Sequence, residues 1–264
     1  MRGIYIHMPF CLRKCRYCDF LSFPNMGFYD DYIKALKNEI KSYNSKEKIS
    51  TIYIGGGTPS IANPCDIADI LEIINDNYDV SCVNEITIEA NPKTIDKEKL
   101  DIYRKSGINR LSIGLQSAND NELKLLGRVH SYDEFYNNYM LARKCGFNNI
   151  SIDVMSGIPE QTLESYMETL NKVIKLNPEH ISSYSLIIEE GTYFYDHLEE
   201  LTLPDEDTER EMYYKTNEIL KSAGYQRYEI SNYAKKGYES RHNSSYWKCM
   251  EYYGFGIGAS SFIA

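Results

Sequence analysis

Short β-rich runs alternate along the chain with longer stretches of helical spacing. The strand candidates are Gly3 to His7, Thr51 to Gly55, Glu85 to Ala90, Arg110 to Ser117, Asn149 to Met155 and His180 to Ile188, six in all. Amphipathic patterns between them cover Tyr29 to Tyr43, Cys65 to Asn77, Asp96 to Ser106, Tyr132 to Cys145 and Leu163 to Leu176, and a sixth follows Pro204. Thr94 and Ser131 are read as helix caps. Strands and helices alternating at this spacing predict parallel βαβ units. The right-handed crossover rule then curls successive units the same way, into a doubly wound sheet or an α/β barrel.

The strand interiors favour the barrel. Ile4 and Ile6 interleave with Tyr5 and His7, Ile86 and Ile88 with Thr87 and Glu89, Leu111, Ile113 and Leu115 with Ser112, Gly114 and Gln116, and Ile150, Ile152 and Val154 with Ser151 and Asp153. Successive side chains point to opposite faces, so one face packs on helices while the other collects polar groups. A parallel strand covered on both faces would read as continuously apolar. The polar face therefore predicts a lumen that holds a polar ligand, with its chemistry at the C-terminal ends of the strands.

Composition narrows the partners. The chain has 264 residues, 42 % of them hydrophobic and 25 % charged, the balance of a globular protein. Its net charge of −9 opposes nonspecific binding to phosphate backbones, so nucleic acid is not expected as a main partner. No apolar run reaches the roughly eighteen residues of a membrane helix, and the N-terminus lacks a signal-peptide layout. The expectation is a cytoplasmic protein with no integral membrane segment. Of seven cysteines, Cys65, Cys82, Cys145 and Cys249 are scattered singly, unlike a secreted disulfide framework.

The other three, Cys11, Cys15 and Cys18, lie in CLRKCRYC just beyond the first strand. Arg13, Lys14 and Arg16 between them argue against burial in a core. Thiolates favour zinc, copper(I) and iron–sulfur clusters. A structural zinc needs a fourth protein ligand, for which His7 is the nearest candidate. A four-iron cluster on three cysteines instead leaves one iron open to a small molecule.

C-x3-C-x2-C with Tyr17 before the last cysteine, on the loop after the first strand of a βα barrel, resembles the radical S-adenosylmethionine superfamily. The resemblance implies a partial, TIM-like barrel of six parallel strands with outer helices, expected here over 1–224, with a short extension over 225–264. It implies a 4Fe-4S cluster on Cys11, Cys15 and Cys18 whose open iron binds S-adenosylmethionine, and electron transfer that cleaves the sulfonium bond to a deoxyadenosyl radical. The glycine-rich GGGTPS turn is weak evidence alone, since such turns cap many strands. In the family's pattern Gly56, Gly57 and Thr58 contact the methionine ammonium group. Glu89 is by itself either a surface carboxylate or a ligand; the resemblance makes it a ligand for ammonium or ribose hydroxyls. Gln116 and Asp153 hold the next strand mouths, Arg128 grips the cofactor carboxylate, and Tyr5 lies under the cluster loop.

YIHMPFC, GGGTPS, EANP, NRLSIGLQS, LLGRVHS, NPEHISSYSLIIEEGT, YEISNYA and SRHNSSYW resemble the oxygen-independent coproporphyrinogen III oxidase-like group, which contains true oxidases and haem chaperones of the HemW type. True oxidases carry a further cysteine where Phe20 stands and a longer N-terminal arm, so both departures favour the chaperone branch. HNSSYW matches that branch's H-N-x-x-Y-W motif, which implies haem ligation by His242 beside Tyr246 and Trp247. The bland alternative is a structural histidine with an aromatic pair covering the barrel's open edge. His7, His130 and His180 are read as pocket-positioning groups and His197 as solvated. Ser260 stands where the family usually has a histidine, and the chain ends at Ala264, short of the family's helical C-terminal domain; the expectation is a fragment or a shortened member.

Three functions remain open at this point. The first is a chaperone that binds cluster, S-adenosylmethionine and haem and passes haem to acceptor haemoproteins. The second is a coproporphyrinogen III oxidase that decarboxylates propionate side chains of a porphyrinogen by radical chemistry. The third is a zinc-stabilised barrel with no redox role. The acceptor protein and a homodimer stay open as well.

Overall fold

The computed structural model describes residues 1–43 and 46–263, so Ala264, the last residue of the expected extension, lies outside the described residues. All six expected strands form: β1 Arg2–Met8, β2 Ile49–Gly56, β3 Glu85–Ala90, β4 Arg110–Gln116, β5 Ile150–Ser156 and β6 His180–Ser185. Three short ones follow, β7 Gln226–Arg227, β8 Asn232–Ala234 and β9 Tyr252–Phe255. The helices are α1 Tyr29–Ser42, α2 Pro64–Asn77, α3 Lys97–Lys105, α4 Asp120–Leu125, α5 Tyr132–Lys144, α6 Leu163–Leu176, α7 Tyr193–Asp196, α8 Glu206–Ser222 and α9 Arg241–Trp247.

The strands join in one sheet in the order β7-β8-β6-β5-β4-β3-β2-β1-β9. Neighbours from β9 to β6 are parallel, while β8 runs antiparallel to β6 and to β7. β7 and β9 stand at the two ends of the strand order and do not pair with each other, so the sheet is a partial barrel. β9 is a seventh parallel strand that the pattern did not foretell. Its four residues, YYGF, are too few to show a period, and a glycine interrupts them.

The outward face is the greasy one. Ile4, Ile6, Ile54, Ile88, Leu111, Ile113, Ile152 and Val154 share one core with Ile33, Leu36 and Ile40 of α1, Ile67, Ile70 and Ile74 of α2, and Leu170 and Val173 of α6. The inward face buries Thr51, Thr87, Arg110, Ser112, Ser151 and His180. Two local expectations are corrected. Asp96, not Thr94, caps α3, accepting the Lys99 amide at 2.9 Å, because the Thr94 hydroxyl is already turned back to the Asn91 carbonyl. β6 stops at Ser185, after which Leu186 and Ile188 pack against a second small core of Leu126, Met155, Ile158 and Phe194.

Candidate functional site

The cysteine loop leaves the C-terminal end of β1 and is tied down along its length. The Thr58 and Gly57 amides donate to the Phe10 and Met8 carbonyls, both at 2.8 Å, and the Cys11 amide donates to the Phe23 carbonyl at 3.0 Å. Further along, the Arg16 amide donates to the Leu126 carbonyl at 3.0 Å, and the Arg16 carbonyl accepts from the Phe194 amide at the same distance. Gly57 is required by this docking, since a Cβ there would lie 2.7 Å from the Phe10 carbonyl oxygen. Cys11, Cys15 and Cys18 are free thiols and line one pocket together with Tyr17, Arg13 and Lys14.

Across that pocket stand the ends of β2 to β6. Gly56, Gly57, Thr58, Glu89, Gln116, Arg128 and Asp153 all line it, so the structure brings these expected positions together with the thiols. Glu89 accepts from the Tyr53 hydroxyl at 2.7 Å and from the Gly56 amide at 3.2 Å. Burial pushes its carboxyl up to about 7, against the pull of the Tyr53 bond toward the ionised form. Burial likewise raises Asp153, whose oxygens accept from Ser112 at 3.2 Å. Gln116 has a φ of +72° at a register shift between β4 and β5; this bulge turns its amide into the pocket, where Oε1 accepts from Tyr184 at 2.8 Å. Arg128 donates to Asn91 and to the Gly114 carbonyl, both at 2.6 Å, and lies 3.7 Å from Cys15 Sγ; its Nε is buried with no partner.

Two expected residues lie outside this pocket. Tyr5 reaches the loop indirectly: its hydroxyl is 3.0 Å from His7 Nδ1, and His7 Nε2 is 2.8 Å from the Leu21 carbonyl. His242 stands at the opposite, N-terminal end of the barrel, fully buried in α9. Its Nδ1 is 2.9 Å from Thr51 Oγ1 and its Nε2 is 2.8 Å from the Tyr246 hydroxyl, so neither ring nitrogen offers a lone pair to haem iron in this conformation. Burial, then the Arg110 charge, lowers its pKa to about 3, which keeps the ring neutral.

Sequence reasoning passed over Tyr53, Asn91 and Arg110. Asn91 joins Thr58 Oγ1, at 2.8 Å, to Arg128. Arg110 is buried in the lumen with Nε and Nη1 unpartnered. The period of two marks Tyr53 as inward-facing between Thr51 and Gly55, a signal present in β2 itself. The same period places Arg110 inward, two residues before Ser112, but a cation at the start of a strand ordinarily meets solvent, which masks the signal.

The donor set fits a cluster with a zwitterionic ligand. The three free thiols share one pocket, a soft donor set of the kind that iron–sulfur clusters take. Burial pushes the Cys18 thiol up to about 11, so ligation there must release a proton. The unpartnered, buried Arg128 Nε adds a donor for an anionic group.

A partial parallel barrel with these thiols at its C-terminal mouth is a protein of the radical S-adenosylmethionine class, and the profile of the Radical SAM superfamily matches residues 5–173. Members of that class use a 4Fe-4S cluster and S-adenosylmethionine. The chain is 40 % identical to the haem chaperone HemW of Bacillus subtilis, over all of this chain and 71 % of that protein. It is 39 % identical to HemW of Escherichia coli, over 97 % of this chain and 69 % of the other. The structure of the E. coli coproporphyrinogen III oxidase, a radical SAM enzyme, superposes with a TM-score of 0.86 at 26 % identity, over 99 % of this chain but only 64 % of that one. The chain belongs to the HemW haem chaperone family of the radical SAM superfamily.

Proposed function

We propose that this protein is a haem chaperone that carries a 4Fe-4S cluster on Cys11, Cys15 and Cys18, binds S-adenosylmethionine beside it, and hands haem to acceptor haemoproteins in the cytoplasm. The observation that carries the reading is the single pocket shared by the three thiols and the polar ends of β2 to β6. The cluster, when bound, supplies electrons and one open coordination site. The chain's own residues hold the partner molecule. Glu89 and the Gly56–Gly57 backbone face its ammonium group, Arg128 takes its carboxylate through the free Nε, and Gln116 and Asp153 offer acceptors to ribose hydroxyls. Arg13 and Lys14 at the rim offset the negative charge of a thiolate-bound cluster. Residues 225–264 we treat as an extension of the barrel, since β7, β8 and β9 complete its two edges. Among the described residues no helix is long and apolar enough to cross a membrane.

A second reading, oxidative decarboxylation of coproporphyrinogen III, draws on the structural likeness to the oxidase. Phe20 in place of a fourth nearby thiol speaks against it. One experiment separates the two. Protein reconstituted anaerobically with iron and sulfide is loaded with haem and mixed with an apo-haemoprotein, and in parallel is reduced and incubated with S-adenosylmethionine and coproporphyrinogen III. Haem transfer without vinyl product is the expected result. Vinyl product accompanied by no haem transfer overturns the chaperone reading.

A further inference from the structure

The HNSSYW segment is left without a task at the cofactor pocket, yet it is built into the barrel. Ser240 caps α9, and the buried Glu85 carboxylate at the start of β3 accepts the Arg241 and His242 amides, both at 2.9 Å. This plants α9 across the N-terminal end of the lumen and lays the His242 ring over the paired residues Gly3 of β1 and Thr51 of β2. Gly3 makes the room, since a Cβ there would lie 3.2 Å from the imidazole.

Above the imidazole lies Tyr53, its ring stacked on His242 at 5.2 Å between centroids and 27° between planes. The Tyr53 hydroxyl then reaches Glu89 in the cofactor pocket at 2.7 Å. Gly55 keeps this contact open, because a Cβ there would come within 2.8 Å of the Tyr53 ring and 3.2 Å of the Glu89 carboxyl. A single column, His242, Tyr53, Glu89, thus runs from the floor of the barrel to its mouth. Thr51 and Tyr246 pin the histidine's two nitrogens, so the ring under Tyr53 has no freedom to turn.

We propose that His242 is a positioning residue: its ring is the platform on which Tyr53 rests, and Tyr53 in turn sets the Glu89 carboxylate that receives the cofactor's ammonium group. This assignment rests on the reading of Glu89 as a cofactor contact. It gives the H-N-x-x-Y-W motif a role in cofactor binding that needs no haem.

The sign of the pH dependence follows from the groups around Glu89. Tyr53 on β2 and the Gly56 amide favour its ionised form, as does Arg110 on β4; Asp153 on β5 opposes it, and Tyr5 on β1 and Tyr246 on α9 face it as neutral phenols. Removing the Tyr53 donor raises the Glu89 midpoint, so less carboxylate is present near neutrality and the deficit closes as pH rises.

The test follows the Glu89 carboxyl by carbon-13 NMR in cluster-free protein, and S-adenosylmethionine affinity by equilibrium dialysis in reconstituted protein, both across pH. Tyr53→Phe and His242→Ala are each expected to raise the Glu89 midpoint and to weaken binding about tenfold near neutrality, the worth of one charge-assisted bond. His242→Phe, which keeps an aromatic platform, restores most of the affinity although it cannot ligate haem. The double variant Tyr53→Phe with His242→Ala is no worse than Tyr53→Phe alone, because both act through one contact. Additive losses, or a wild-type midpoint and affinity in His242→Ala with thermal stability lowered, overturn the proposal. Wild-type protein that loads a cluster yet binds no S-adenosylmethionine overturns the underlying reading as well, and is recognised by the failure of the parent protein.

Discussion

Gly57 shows how one missing side chain holds the site together. The backbone of the cysteine loop passes so close that a Cβ would lie 2.7 Å from the Phe10 carbonyl oxygen and 3.0 Å from the Met8 one, and neither can swing aside as a side chain could. Gly57→Ala is therefore expected to cost about 1–3 kcal/mol in a denaturant titration and to lower iron content by displacing Cys11. Cys15→Ala makes the contrast: cluster assembly is lost, seen as absent visible absorption and iron, while the unfolding midpoint of the cluster-free protein hardly moves. The cysteine is half-buried and its Sγ accepts only a long contact from Arg128 at 3.7 Å, so the fold does not depend on it. If Gly57→Ala and Cys15→Ala behaved alike, the loop's docking would not be a feature of the fold.

At the scale of elements, the loops that leave the strand ends build the mouth, and the helices that follow them begin where local chemistry allows. The segment between α4 and α5 carries Arg128, and α5 begins with a capping box in which Ser131 Oγ accepts the Glu134 amide at 3.2 Å and the Glu134 carboxylate accepts the Ser131 amide at 2.8 Å. Ser131→Ala is expected to lower stability by about 1 kcal/mol. S-adenosylmethionine affinity should change little, because Arg128 is fixed from the other side by Asn91 and Gly114. A large loss of affinity would mean that the cap, and not those bonds, places the guanidinium. Glu122 in α4 does comparable work further round the rim, accepting from Ser117 at 2.6 Å, Gln161 at 2.9 Å and Ser165 at 2.6 Å, so that the ends of β4 and the loop into α6 share one buried acceptor.

The whole molecule answers to pH through its polar interior. Burial lowers His130 and His242 to about 3 and takes His180 well below its ordinary value, with neighbouring arginines acting in the same direction. These rings are neutral when folded and charge on unfolding, so their stabilisation is present above the ordinary pKa of about 6.5 and is lost as pH falls toward 3. Glu89, raised to about 7, contributes oppositely: its share is present below its ordinary value near 4.5 and is lost as pH rises through 7. Burial also raises Asp153 and Glu209, which act as Glu89 does, while carboxylates held low by their partners, such as Glu134, act with the three histidines; the melting temperature of the cluster-free protein is expected to climb between about pH 4.5 and about pH 6.5, and less steeply in His242→Phe. A flat profile would show that the lumen is wetted and its histidines free to titrate. The alternation within β1 to β5 and the helical spacing between them were enough to foretell the barrel, its greasy outer face and its polar lumen, because burial periodicity is written locally in the chain. The thiols in CLRKCRYC and the polar strand ends were legible for the same reason: direction along a parallel strand decides which end a residue occupies. Neither the seventh parallel strand nor the place of HNSSYW could be read this way. Both depend on pairing across most of the chain's length, β9 with β1 and His242 with Thr51 and Tyr53, and such long-range contacts leave no periodic trace in the segments that make them.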